Sequence, residues 1–109
     1  MNAIVDEKRL EGAINFLAET DGTYAEQKAA MENAEILRKR VRARVFLIAT
    51  GNNEERKSKA ETNMECCNAD DAYIAALQAF ETTKARRQRA ELVVDVWRTI
   101  SANLRRGNV

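Results

Sequence analysis

Not one proline falls in the 109 residues, and apolar side chains recur at steps of three and four along two long stretches. Proline is the residue that most surely breaks a helix. A chain without it, whose apolar positions follow the helical period, is committed to long amphipathic helices. Hydrophobic residues make up 45% and charged residues 32% of the chain, a balance that suits helices with one wet face far better than a sheet. The expected class is all-α, and the length suffices for one small domain, so residues 1–109 are read as a single helical domain.

Taken in order, the first helical pattern runs from about Ala3 to Ala18, with Leu10, Ala13, Ile14 and Leu17 on one face. Thr20, Asp21, Gly22 and Thr23 form a breaker, and Thr23 with Glu26 has the form of a capping box opening a second helix. One kinked helix running through this point is the alternative. The second pattern continues from Tyr24 to Thr50 with the stripe Met31, Ala34, Leu37, Val41, Val45 and Ile48, and Gly51 ends it as a C-terminal cap does. The polar stretch Asn52 to Asp71 is the expected reversal, holding a short helix from Glu54 to Met64. Asp70 and Asp71 are placed to cap a last helix that runs to Arg105, ahead of Gly107. Its seam is Tyr73, Ala76, Leu77 and Phe80, then Ala90, Val93, Trp97, Ile100 and Leu104. The expected architecture is a long antiparallel helical hairpin with an additional N-terminal helix alongside.

The charge is segregated along the chain. Residues 1–35 hold three basic against eight acidic side chains, and residues 36–59 hold eight against two. Residues 60–83 hold none against five, and residues 84–109 seven against two, so a formal net charge of +1 conceals two acidic and two basic blocks. The basic side chains concentrate at Arg38, Lys39, Arg40, Arg42 and Arg44, and again at Lys84, Arg86, Arg87 and Arg89. A hairpin folded about the polar reversal sets level positions at numbers summing to about 120, which brings Arg38 near Thr82 and Lys84 near Ile36 and runs the two basic blocks together. Two uses of such arginines are open. They cover the edges of a buried seam and offset the helix dipole, or they present planar donor forks to phosphate.

Catalytic chemistry finds no footing. There is no histidine, no phosphate-cradling glycine loop and no nucleophile elbow. The pairs Glu54 with Glu55 and Asp70 with Asp71 sit at expected helix starts, where capping is the ordinary role. The only cysteines are the neighbours Cys66 and Cys67, which cannot staple distant elements, and with no histidine and no second cysteine pair a zinc site is improbable; both are expected to be idle. No enzyme activity, metal or cofactor is therefore expected. The run lacks a membrane span and a signal peptide, so a soluble intracellular protein is expected. The apolar run Val45, Phe46, Leu47, Ile48 is wider than one partner helix can cover. Val45, Phe46, Ile48 and Trp97 are accordingly the expected contacts of a homo-oligomer, with Phe46 doubling as a stacking candidate.

The C-terminal stretch Asp71-Ala-Tyr-Ile-Ala-Ala-Leu77, with Ala90-Glu-Leu-Val-Val-Asp-Val-Trp-Arg-Thr-Ile-Ser-Ala-Asn-Leu-Arg-Arg-Gly107, resembles a group of small phage proteins that end in a Trp-Arg-Thr-x-x-Ala-Asn segment. The order Arg42-Ala43-Arg44, the apolar patch Val45 to Ala49, Gly51 and a second long helix is more distantly similar to the phage UvsY recombination mediators. That resemblance implies a helical, ring-forming protein that binds single-stranded DNA and helps load a RecA-like recombinase over single-strand-binding protein. It places Arg42 and Arg44 at the DNA, in the cytoplasm of an infected bacterium. The alternative expectation is a phage protein-interaction module that inhibits a host nuclease or defence complex, with a structural assembly factor third.

Overall fold

The computed structural model describes residues 5–107, and among them the chain is all-α with no strand. The helices are α1 (Glu7–Ile48), α2 (Asn53–Thr62) and α3 (Met64–Arg105). They contribute to two compact units, one formed by Glu26–Glu81 and the other by the described residues up to Ala25 together with those from Thr82 onward. The start expected at Ala3 lies outside the described residues. Asp6 caps α1, its Oδ1 accepting the Arg9 N–H at 2.8 Å, which satisfies one of the orphan amides of the first turn.

No separate N-terminal helix forms: α1 passes through Thr20–Thr23 without interruption. The Thr20 hydroxyl donates back to the Phe16 carbonyl at 2.7 Å, a bond that a helix interior accommodates. The glycine at 22 keeps helical dihedrals at a cost of about 1 kcal/mol relative to alanine. The breaker residues thus lower helix propensity without supplying the φ or cap geometry that would end it.

The other end of α1 is closed by tertiary partners. Gly51 takes φ +109°, in the left-handed range that favours glycine. The last turn of α1 holds no basic residue, and its open carbonyls are reached from α2. Arg56 Nε donates to the Ala49 carbonyl at 3.0 Å, and Lys59 Nζ donates to that of Thr50 at 2.7 Å. These two cations do what was expected of the Arg38–Arg44 block, offsetting the negative end of the dipole. Asn52 caps α2, accepting the Glu55 N–H at 2.9 Å.

Asn63 separates α2 from α3 with an extended backbone, and its Oδ1 accepts the Cys66 N–H at 3.2 Å. This cap starts α3 at Met64, seven residues before Asp71, and so resets the pairing in the Glu26–Glu81 unit. There Arg38 lies against Asp70 and Tyr73, Arg42 against Asp70, and Arg44 against Glu65. Numbers fall on α3 as they rise on α1, so the pairing is antiparallel, and facing positions sum to about 110 rather than 120. The placement of Arg38 beside Thr82, and with it of Lys84 beside Ile36, is thereby corrected.

The core of the same unit is small: Val45, Ala60 and Cys66, with Val41 packed against them. Phe80 and Ala69 are also buried. The packed face of α1 is turned toward Arg38 and Arg42, leaving Leu37 and Ile48 of the expected stripe exposed while Met31, Ala34, Val41 and Val45 remain wholly or partly covered. Val45 is enclosed by its own chain at 8% exposure, which removes it from the expected oligomer contacts. In the other unit Val5, Ala13 and Ala90 are buried, while Trp97 is half-buried.

Candidate nucleic-acid interface

The five basic residues of α1 divide by what holds them. The Arg38 guanidinium stacks over the Tyr73 ring at 4.3 Å and lies 4.0 Å from Asp70. Its Nε is buried with no hydrogen-bond partner. Arg42 donates to Asp70 Oδ2 at 2.7 Å, so one carboxylate of α3 faces two guanidinium groups. Arg44 pairs with Glu65, and Lys39 pairs with Glu35 one turn back on its own helix at 3.2 Å. Arg40 is exposed and has no partner among the described residues. The acidic block after residue 60 is therefore the counterpart of the first basic block, a pairing that segregated charge made available and the register at Asn63 selected.

Exposure decides how firmly these pairs are held. The Arg42 and Arg44 side chains are 41% and 59% exposed, and Glu65 is 62% exposed. An ion pair as open as that of Arg44 with Glu65 contributes about 0–1 kcal/mol, so a phosphate can take the place of that carboxylate at little cost, whereas Asp70, 32% exposed with one oxygen buried, holds Arg42 more firmly. Arg38 is different in kind, because its stacking on Tyr73 makes it part of the packing between α1 and α3.

The second block lies in the other unit and is divided just as sharply. Arg87 is only 13% exposed. Its Nη1 donates to the Leu17 carbonyl at 2.9 Å and to the Thr20 hydroxyl at 2.7 Å, and its Nη2 to Asp21 Oδ1 at 2.6 Å. The Tyr24 ring lies 5.0 Å from the guanidinium carbon. Arg87 is a rivet between α3 and α1, placed where the Thr20–Asp21 segment offers acceptors, and three of its five donors are spent on the fold. Lys84 borders a small cleft of about 150 Å³ with Tyr24, Arg87, Gln88 and Glu91. Arg86 and Arg89 are exposed without partners among the described residues.

No family model, curated protein or solved structure matches this chain. Its chemistry is thus read from its own residues. Among the described residues no group of three His, Cys, Asp or Glu is placed to hold a metal ion, and no helix is long and apolar enough to cross a membrane. Of the remaining expected oligomer contacts, Ile48 stands 75% exposed, and Phe46 is half-buried with the Arg56 guanidinium 5.3 Å from its ring centroid.

Two features of this region were missed from sequence. Arg56 and Lys59, counted from sequence only within the basic block 36–59, fold back on the open end of α1, and their spacing after Gly51 is the one signal that could have found them. Leu47 and Met64, both more than 70% exposed, join Ile48 as apolar surface at the end of α1 and the start of α3. Met64 had been placed in the reversal.

Proposed function

We propose that the chain is a non-enzymatic phage accessory protein of DNA recombination or replication that binds single-stranded DNA, in the manner of the UvsY-like mediators it resembles, and helps load a RecA-like recombinase. In this reading it works as an antiparallel helical hairpin assembled into a homo-oligomer in the cytoplasm of the infected host. The observation that carries the reading is the open character of the α1 cations. Lys39, Arg40, Arg42 and Arg44 fall within six residues; Arg40 is unpartnered, Lys39 and Arg44 are tied by exposed pairs, and Arg42 keeps a 41% exposed side chain beside its tighter pair with Asp70. Phosphate contacts of this kind need no base-reading groups, so binding is expected to be indifferent to sequence. Oligomerisation is supported by Ile48 and Met64, whose exposure leaves apolar surface uncovered at one end of the Glu26–Glu81 unit, and it multiplies the number of phosphates one assembly can meet.

The second reading, a protein-interaction module directed at a host nuclease or defence complex, is favoured by the charge balance of Glu26–Glu81, nine basic against ten acidic side chains. The two readings separate in one anisotropy experiment on labelled oligothymidylate. Arg40→Glu with Arg44→Glu is expected to weaken binding at least tenfold more than Lys8→Glu with Arg9→Glu, which makes the same charge change at exposed positions outside the band. Equal losses in the two double variants would reduce the effect to bulk charge and end the DNA reading.

A further inference from the structure

Within the Glu26–Glu81 unit, the last turns of α1 and the helix α2 border a cleft of about 560 Å³. Its apolar lining is Ala43, Phe46, Leu47 and Ala60, and its charged lining is Lys39, Arg42, Lys57 and Glu61. The volume falls in the range of about 300–1,000 Å³ typical of binding sites for compact ligands. None of the four apolar side chains carries a donor or acceptor. A nucleobase pressed against them would find partners for its polar edge only at the charged rim and none on the apolar walls. An aliphatic or phenyl side chain has no such edge and gains from burial.

The charged lining adds a sign to this preference. Three cations stand against one carboxylate, so the occupant should be anionic beside its apolar part. Lys57 is exposed and has no partner among the described residues. Lys39 is 69% exposed and tied only to Glu35 on its own helix. Both are available to a carboxylate without loss of a contact between helices. Phe46 is half-buried with the Arg56 guanidinium 5.3 Å from its ring centroid, while Leu47 stands 72% exposed.

We propose that this cleft docks an acidic peptide segment of a partner protein, with one large apolar side chain against Phe46 and Leu47 and neighbouring carboxylates at Lys39, Arg42 and Lys57. The cleft shares Lys39 and Arg42 with the proposed phosphate contacts but adds apolar walls that phosphate does not need, and the inference stands whether or not the chain binds DNA.

The test uses the full chain and a fluorescein-labelled synthetic peptide of three aspartates followed by leucine and phenylalanine, read by anisotropy at low salt. Saturable binding is expected. A peptide with lysines for the aspartates, and one with alanines for the leucine and phenylalanine, should each bind at least tenfold more weakly. Lys57→Glu and Leu47→Asp change exposed positions, and each should weaken the parent peptide about tenfold with far-UV circular dichroism unchanged. Retention of wild-type affinity by both variants would overturn the proposal, as would equal binding of the three peptides. A fall in assembly mass caused by Leu47→Asp would do so too, since the cleft would then be covered by a second copy. Oligothymidylate on the same proteins keeps the two readings apart. Peptide binding without DNA binding sinks only the DNA reading, and DNA binding without peptide binding sinks only this one. A Leu47→Asp loss confined to DNA would reassign the cleft to nucleic acid.

Discussion

Replacing Arg87 by methionine is expected to destabilise the chain by roughly 3–5 kcal/mol, although the residue sits in a basic run that the sequence offers as phosphate contacts. The side chain is 13% exposed, and methionine retains most of its apolar stem, so the loss is chiefly that of the guanidinium contacts. Two of these are short hydrogen bonds to the Leu17 carbonyl and the Thr20 hydroxyl, worth about 1.5 kcal/mol each, the low end for a charged donor. The pair with Asp21 counts for less, about 0–1 kcal/mol, since that carboxylate is 69% exposed and well screened. The contact with Tyr24 adds about 0.5–1 kcal/mol. Thr20 keeps its bond to Phe16, so no hydroxyl is orphaned and the total stays within the stated range. The comparison is Arg89→Met, where an exposed side chain without a partner should change stability by no more than about 0.5 kcal/mol. Urea unfolding followed at 222 nm gives both values by linear extrapolation. If the two variants unfold within about 0.5 kcal/mol of each other, Arg87 is not a rivet and the assignment of its donors to the fold is wrong.

Three further outcomes follow from the same contacts. Cys66 is 1% exposed in the Val45–Ala60 cluster, so Cys66→Ser should cost about 1–3 kcal/mol by burying a hydroxyl without a partner. Cys67→Ser should cost nothing measurable by the same unfolding assay. Gly51→Ala should lower stability by about 1–2 kcal/mol, because the left-handed backbone excludes a Cβ and that atom would also run into the Glu55 side chain; a neutral result in thermal melts would show that the turn relaxes freely. Ile48→Asp should lower the assembly mass measured by light scattering while leaving helicity intact, and an unchanged mass would place the oligomer contact elsewhere.

Much of the fold was legible because it depends on period and breakers. The all-α class, the end of α3 at Arg105 and the short helix after Gly51 all follow from spacing and from local caps. The α3 seam held from Tyr73 to Ile100, whereas Leu104 is exposed. What spacing could not supply was the register. Asp70 and Asp71 looked like caps because acids favour helix starts, yet Asn63 does the capping and Asp70 is freed to face Arg38 and Arg42. The idle reading of the cysteines failed at Cys66 for the same reason, since an earlier start for α3 turns that residue into the core. Arg87 and Arg89 are indistinguishable by composition. They differ because a helical step of two residues turns one toward Thr20 and Asp21 and leaves the other in water.

The central claim is that the α1 cations remain open to phosphate despite their carboxylate partners, and the salt dependence of oligothymidylate binding tests it most directly. Each phosphate neutralised on single-stranded DNA contributes about 0.7 to the slope of log affinity against log salt. Lys39, Arg40, Arg42 and Arg44 therefore predict a slope near −3 per bound chain, falling by about half in the Arg40→Glu, Arg44→Glu variant. No detectable binding at ~50 mM salt, or a slope that the double variant leaves unchanged, would contradict the account.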